Sequence, residues 1–299
     1  MFKKLLLIII SISYLLSISL QEAYDEANSY QEYDKYLFLD SNITYTGGLG
    51  IYEGNVFINC NGAIIDLQEG QGIWLYADEE YNSSLDIQHC SIVNGLYYGL
   101  SFGGISTGNI YNCNFHSTNF GLKLFDESSV YITNSIFINQ QSMGIGIYTE
   151  LPDITADYLL FWNNEDDCLE NCPGWGNIWT QLELIPGSGI LYENPLFIDA
   201  EHFNFNLIEN SPCINSGNPI ILDDDGSISD LGAIIYTNNE CNLSGDLNGD
   251  GILDVLDIVS SVCIAMNPFY CESDCSGDMN NDGVVNVLDI VIMVNIILS

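Results

Sequence analysis

The chain has no arginine and only four lysines among 299 residues. Against them stand 41 aspartates and glutamates, for a formal net charge of −37. A surface of that sign repels nucleic acid, anionic lipid and polyuronate chains unless bound cations intervene. No nucleic-acid partner is expected, and cations belong in any functional account. Proline is scarce, with seven residues, and no stretch of the body shows helical periodicity of useful length. What is present is apolar and aromatic: 47% hydrophobic residues, 18 Tyr and 13 Phe. That content supports a folded chain despite its charge, and the length allows one sizeable core with a small satellite domain.

Residues 1–20, MFKKLLLIIISISYLLSISL, have a short basic start at Lys3 and Lys4, an apolar run, and small residues at Ser17 and Ser19. This reads as a secretory signal peptide over residues 1–19 with cleavage near Ser19. An uncleaved anchor is the alternative, although the run is short for a full span. After cleavage only Lys35 and Lys123 remain basic, and no stable membrane span is expected. A secreted or extracellular location, with possible attachment to a cell surface, follows. Ten cysteines in an exported chain permit disulfides.

The body is repetitive. Aligning INC at 58–60, IQHCSI at 87–92, IYNCNF at 110–115, ITNSIF at 132–137 and ITADYL at 154–159 puts isoleucines at 87, 110, 132 and 154. A second marker, Gly followed by alternating apolar residues, recurs at 72, 99, 121 and 144. Short period-two strands separated by Asn, Gly and Ser turns cannot bury an apolar face alone, so they must stack on copies of themselves. The expected fold is mostly β, a right-handed parallel β-helix solenoid over residues 57–236. Residues 20–56 form a lead-in and cap, because an open coil end exposes a pairing edge. A leucine-rich horseshoe lacks its leucine frame here, and a β-sandwich gives no reason for stacked identical positions. In this register Cys90 and Cys113 lie one above the other and, with Cys60, read as free buried cysteines acting as small hydrophobes. Asn112 and Asn134 beside them turn corners and stack their amides.

The period breaks at 162–189, which holds Trp162, Trp175 and Trp179 beside Glu165, Asp166, Asp167 and Glu170. Aromatic platforms next to carboxylates suit a sugar site, and acid/base work on a glycosidic bond needs two carboxyls. Asp166, Asp167 and Glu170 are therefore catalytic candidates, and the three tryptophans candidates for substrate contact. The competing reading is a loop pinned by Cys168 and Cys172, with its tryptophans covering the coil and its acids in water.

Residues 57–236 resemble the parallel β-helix proteins of the pectin-lyase-like superfamily. The resemblance rests on NPLF at 194–197, SPCINSGNP at 211–219 and the D-x-D-G-x-x-x-D-x-G-A stretch at 223–233, which is expected to close the last coil. It implies the fold, but the superfamily contains lyases, hydrolases, epimerases and proteins without demonstrated activity. Its pectate lyases abstract a proton with an arginine this chain lacks. A glycoside hydrolase is thus the better expectation if the protein is an enzyme. The stretch DDDGSISD at 223–230 is readable as a further cation site or as an acidic turn.

The C-terminal part carries GDLNGDGILDVLDIV at 245–259 and GDMNNDGVVNVLDIV at 277–291. Oxygen donors fall at Asp246, Asn248, Asp250, Asp254 and Asp257, and again at Asp278, Asn280, Asp282, Asn286 and Asp289. Gly251 and Gly283 stand at the sharp turn, and the Ile252 and Val284 carbonyls are added donors. Ca²⁺ takes six to eight oxygens in such a loop, so two Ca²⁺ sites are expected, each loop leading into a helix. The pair resembles a type I dockerin over residues 241–299, behind a linker at 237–240, and implies a cohesin-like scaffold partner contacting Val255, Leu256, Val287 and Leu288. Those positions are apolar where small hydroxyl residues are frequent, which leaves an unfamiliar partner or internal packing open. Cys263 with Cys271, and Cys241 with Cys275, are candidate disulfide pairs. Two functions follow from the whole chain: a secreted β-helix that binds or processes polysaccharide and is anchored through a calcium-dependent module, or a noncatalytic extracellular scaffold with the same attachment.

Overall fold

The computed structural model describes residues 17–148, 153–164, 189–223, 225–236, 245–248, 250–266, 275–280 and 285–298. It divides into two compact units, Met1–Tyr236 and Thr237–Ser299.

The first unit is a parallel β-solenoid with three faces. One face stacks Tyr33–Phe38, Gly54–Asn59, Ser83–Gln88, Thr107–Tyr111 and the leading halves of the long strands Ser129–Ile138 and Asp153–Trp162. The second face stacks Ser17–Ser19, Thr44–Thr46, Ile64–Asp66, Ser91–Val93, Asn114–His116 and the trailing halves of the same two long strands. Because those strands run through the corner, the two faces merge into one 12-stranded sheet. The third face is a separate five-stranded sheet: Leu49–Ile51, Ile73–Ala77, Leu100–Gly104, Phe120–Leu124 and Met143–Ile147.

Period-two alternation turns every second side chain inward, and parallel register places like residues in columns. Ile58, Ile87, Ile110 and Ile132 form one such column. Ile154 departs from it: the register sets Ala156 against Ile132 and Ile154 against Val130. The expected alignment is off by two residues there. A two-residue slip keeps the inward face, so the pattern alone does not reveal it. The glycine marker holds throughout, since Ile73, Leu100, Leu122 and Ile145 pair in order. Another column runs Ile65, Ile92, Phe115, Phe137, Phe161. Its phenylalanine rings stack at 4.7 and 5.1 Å with planes 7° apart.

Several corners are made by a single left-handed residue, whereas Asn61–Gly62 and Gln68–Glu69 use two in succession. Asn112 and Asn134 adopt φ of 47° and 52°, and the amide of Asn134 donates to Asn112 Oδ1 at 3.4 Å, the corner ladder expected from the sequence. Asn163 and Asn139 repeat this at the next corner, 2.6 Å apart.

Stacking begins before residue 57: Ser17–Ser19 pairs with Thr44–Thr46, and Tyr33–Phe38, Thr44–Thr46 and Leu49–Ile51 supply one strand to each face. Helix α1, Leu20–Glu26, places Leu20 fully buried in the main core. Lys35 donates to the Asp25 and Ala27 carbonyls at the end of that helix, which satisfies groups with no helical partner.

Cys60 and Cys90 are joined by a disulfide, which corrects the expectation of free thiols at both. Adjacent coils bring their Cα atoms to 4.8 Å, within bridging range. Cys113 is free and buried as expected.

The stretch at 223–233 does not close the last coil. It belongs to a strap that doubles back along the corner column. Asn218 N–H donates to Asn134 Oδ1, Asn112 donates to the Asp230 carbonyl, Ala233 N–H donates to Asn114 Oδ1, and Ala233 O lies 3.2 Å from His89 Nδ1. With the hairpin Phe197–Asp199/Asn204–Leu207 it covers the outer side of the second face. Ile136, Ile138 and Leu160 there join Phe205, Leu207, Cys213 and Leu231 in a second apolar core.

In the second unit, helices α2 (Val255–Met266) and α3 (Val287–Ile297) pack around Ile264 and the fully buried Met293.

Candidate functional site

The outer side of the third face carries a continuous aromatic surface. Alternation turns Trp74, Ser101 and Lys123 outward in one paired column. Flanking columns carry Tyr98, Phe120 and Met143 on one side and Tyr52, Tyr76, Gly103, Phe125 and Tyr148 on the other. Ser101 and Gly103 leave the floor low between the rings, while Gly50 and Gly146 let the Trp74 and Phe120 rings lie flat over the strand. The outcome is a trough along the solenoid axis, with one hollow of ≈ 250 Å³ bounded by Trp74, Tyr76, Tyr98, Phe125 and Asp126. A second of ≈ 270 Å³ is bounded by Tyr52, Glu53, Tyr76, Asp78 and Tyr81. Tyr76 lines both. Trp74 meets Tyr52 edge to face at 4.6 Å.

Lys123 sits in this surface with its Nζ 4.4 Å from the Phe120 ring centroid, 4.3 Å from Tyr148 and 5.2 Å from Phe125. Burial lowers its pKa, while the ring faces offset part of that desolvation. Two of the rim carboxylates are engaged with backbone: Asp126 accepts from Gly104 N–H, and Asp78 from Glu80 and Tyr81 N–H.

Of the residues singled out by sequence for sugar contact, Asp166, Asp167, Glu170, Trp175 and Trp179 lie outside the described residues. Trp162 is described and 40% exposed, but it stands on the second face, opposite Ile138 in register, and not in the trough. Sequence reasoning misses Trp74 because a tryptophan inside a repeat reads as core. Only the inward setting of Ile73 and Leu75 shows that it faces out.

In the second unit the described parts of the two aspartate-rich loops make matching contacts. Asp257 is fully buried and accepts from the N–H groups of Leu247, Asn248 and Asp254. Asp289, also fully buried, accepts from Asn280 and Asn286. Each is the third residue of its helix, as the spacing predicts. Asp246 accepts from Asp250 and Gly251 N–H, and Asp250 from Ile252 N–H. The side chains thus turn into a loop whose Gly251 has φ 84°, the left-handed turn expected there. Asp278 is nearly buried. Asp282 and Val284 lie outside the described residues, as do Cys168, Cys172, Cys241 and Cys271. Cys263 is disulfide-bonded. Among the described residues no group of three or more His, Cys, Asp or Glu is gathered to hold a metal ion. The two Val-Leu pairs are exposed, from 57% at Leu256 to 65% at Val287, so they do not pack within the unit.

Two carboxylates of the strap are partly shielded. Asp230 accepts from Asn215 and Tyr236 N–H, and Asp223 accepts from Asp230 N–H. Burial, with the Asp230 charge adding to it, pushes Asp223 up to about 6. Burial also raises Asp230.

Residues 30–173 match a family model described as a right handed beta helix region. The match spans the β-helix coils from the Tyr33 strand through the Trp162 strand. No curated protein and no solved structure matches the chain. Among the described residues no helix is long and apolar enough to cross a membrane.

Proposed function

We propose that this is an extracellular β-helix protein that binds polysaccharide along the third-face trough and is held in place by a calcium-folded C-terminal module. The observation that carries the reading is the aromatic trough itself. Sugar C–H faces stack on rings, and strands about 4.8 Å apart set Tyr52 next to Tyr76 and Phe125 next to Tyr148, with Gly103 between the two pairs. The rigid coil fixes their positions before the ligand arrives, which lowers the ordering cost of binding. Asp78 and Asp126 at the trough are already engaged by backbone N–H groups, which favours a binding reading over cleavage.

The C-terminal loops supply only hard oxygen donors, the chemistry Ca²⁺ prefers. Asp246, Asn248, Asp250, Asp254, Asp257 and the Ile252 carbonyl would hold one ion. Asp278, Asn280, Asp282, Asn286, Asp289 and the Val284 carbonyl would hold the other. Bound cations would offset the repulsion among these carboxylates and couple the module's folding to Ca²⁺. The exposed Val255, Leu256, Val287 and Leu288 form the surface offered to a cohesin-like partner.

A glycan array probed with the full chain in Ca²⁺, followed by product analysis on each hit, tests the first part. Binding that is retained when Trp74 and Tyr76 are both replaced by Ala overturns the trough assignment.

A further inference from the structure

Three cysteines of successive coils gather at one corner of the stack: Cys90 and Cys113 share a column, while Cys60 stands opposite His89 and Ala63 takes the level of Cys90. Cys60 and Cys90, in adjacent coils, form the disulfide. Cys113, one coil further on, keeps a fully buried free thiol. Pairing sets Gln88 against Tyr111 and Ser91 against Asn114, so Cys90 and Cys113 stand at the same level of neighbouring coils. Their side chains share one pose. Cys90 Sγ lies 3.3 Å from the Gln88 carbonyl, and Cys113 Sγ lies 3.2 Å from the Tyr111 carbonyl. Cys113 Sγ also reaches to 4.0 Å from the Ile87 carbonyl of the coil below. One step between strands is about 4.8 Å, inside the Cα range that a disulfide spans.

We propose that Cys90 has two competent disulfide partners, Cys60 and Cys113, and that the bond moves between them by internal thiol–disulfide exchange. The Cys113 thiolate attacks Cys90 Sγ, and the Cys90–Cys113 bond forms as the Cys60–Cys90 bond breaks. The electron pair leaves on Cys60 Sγ, which takes up the proton Cys113 gave up. One disulfide and one thiol are present before and after, so no outside oxidant or reductant takes part. The staple shifts by one coil while the number of cross-links stays constant. Both partners lie within reach of Cys90: Cys60 through the longer corner at 60–63 of the preceding coil, and Cys113 at the same level of the following one.

The exchange belongs to folding. In the finished stack all three side chains are sealed from water, and burial pushes the Cys113 thiol up to about 12, which leaves little thiolate to attack. While coils are still assembling, the thiol is solvated and the choice of partner is open. Cys213, the other described free cysteine, packs near Pro195 and Ser211 in the second core and has no place in the column.

Disulfide mapping of the full chain tests the proposal. Alkylation and acid quenching are followed by peptic digestion, since trypsin finds four lysines and no arginine. In Cys60→Ser the expected product is a Cys90–Cys113 disulfide. A folded variant in which Cys90 and Cys113 are both alkylated overturns the proposal. If Cys60→Ser does not fold, oxidative refolding of the unsubstituted chain decides. A Cys90–Cys113 peptide that rises early and gives way to Cys60–Cys90 supports it, and its absence at every time point overturns it.

Discussion

The ring of Phe137 fills the space that a side chain on Gly121 would occupy. Gly144 stands in the same relation to Phe161, one coil on. Gly99, Gly121 and Gly144 of the third-face marker and the phenylalanine column of the second face are therefore two halves of one packing device: each of these missing side chains admits a stacked ring. Gly121→Val is expected to force the ring aside and lower stability by roughly 1–3 kcal/mol. Phe137→Ala should cost about 3–5 kcal/mol, since the vacated volume is walled by Phe115 and Phe161. Denaturant unfolding of the β-helix checks both. Near-unchanged midpoints would show the column to be loosely packed.

Trp74→Ala is expected to weaken glycan binding about tenfold or more while leaving the unfolding midpoint nearly unchanged, because the ring faces outward over a filled core. Trp162→Ala, on the second face, should leave binding intact. Isothermal titration with a hit from the glycan screen separates these outcomes.

The strap should respond to pH through Asp223. Its folded pKa of about 6 lies above the ordinary value of 3.8, so the folded form holds its proton more tightly than the unfolded chain does. That contribution is fully present below pH 3.8 and is lost as pH rises through about 6. Asp223→Asn keeps an acceptor for Asp230 N–H and removes the charge. The variant should match the parent near pH 3.5 and exceed it in melting temperature by a margin that grows up to about pH 6 to 7. A constant offset across this range would contradict the assignment.

Opposite in sign is His116, whose pKa burial lowers to about 4. Its ring is sealed against Phe203 and Phe205 of the hairpin. The stability it confers is present above pH 6.5 and lost as pH falls toward 4. His116→Phe is expected to flatten that acid limb. Hydrogen exchange at Phe205 and Leu207 between about pH 6.5 and 4 reports it directly.

Removal of calcium should reach the second unit alone. The amides of Leu247, Asn248 and Asp254, all bonded to Asp257, are expected to lose exchange protection in chelator, while those of Ile87 and Ile110 keep theirs. Equal protection with and without chelator would remove the calcium dependence from the proposal.

Much of the coil stack is legible in the amino-acid sequence, because period-two alternation and a recurring glycine are local signals that stacking merely copies. Asn112 and Asn134 are readable as corners for the same reason. Ile154 is not, since a slip of two residues preserves the inward pattern and only hydrogen-bond register distinguishes Val130 from Ile132 as its partner. The Asp and Asn spacing of the C-terminal loops likewise foretells that Asp257 and Asp289 sit in the first turns of helices.

What the amino-acid order determined by itself was the repeat, its inward columns and the oxygen-rich loops, each set by neighbours close in sequence. Tertiary structure decided the rest. It chose Cys60 as the partner of Cys90, turned Trp74 outward into a trough with Tyr52 and Tyr98, and laid residues 211–236 back along the Asn112 and Asn134 corner. These depend on which coils become neighbours and on which face is left uncovered, and side chains tens of residues apart carry no mark of either until the stack is built.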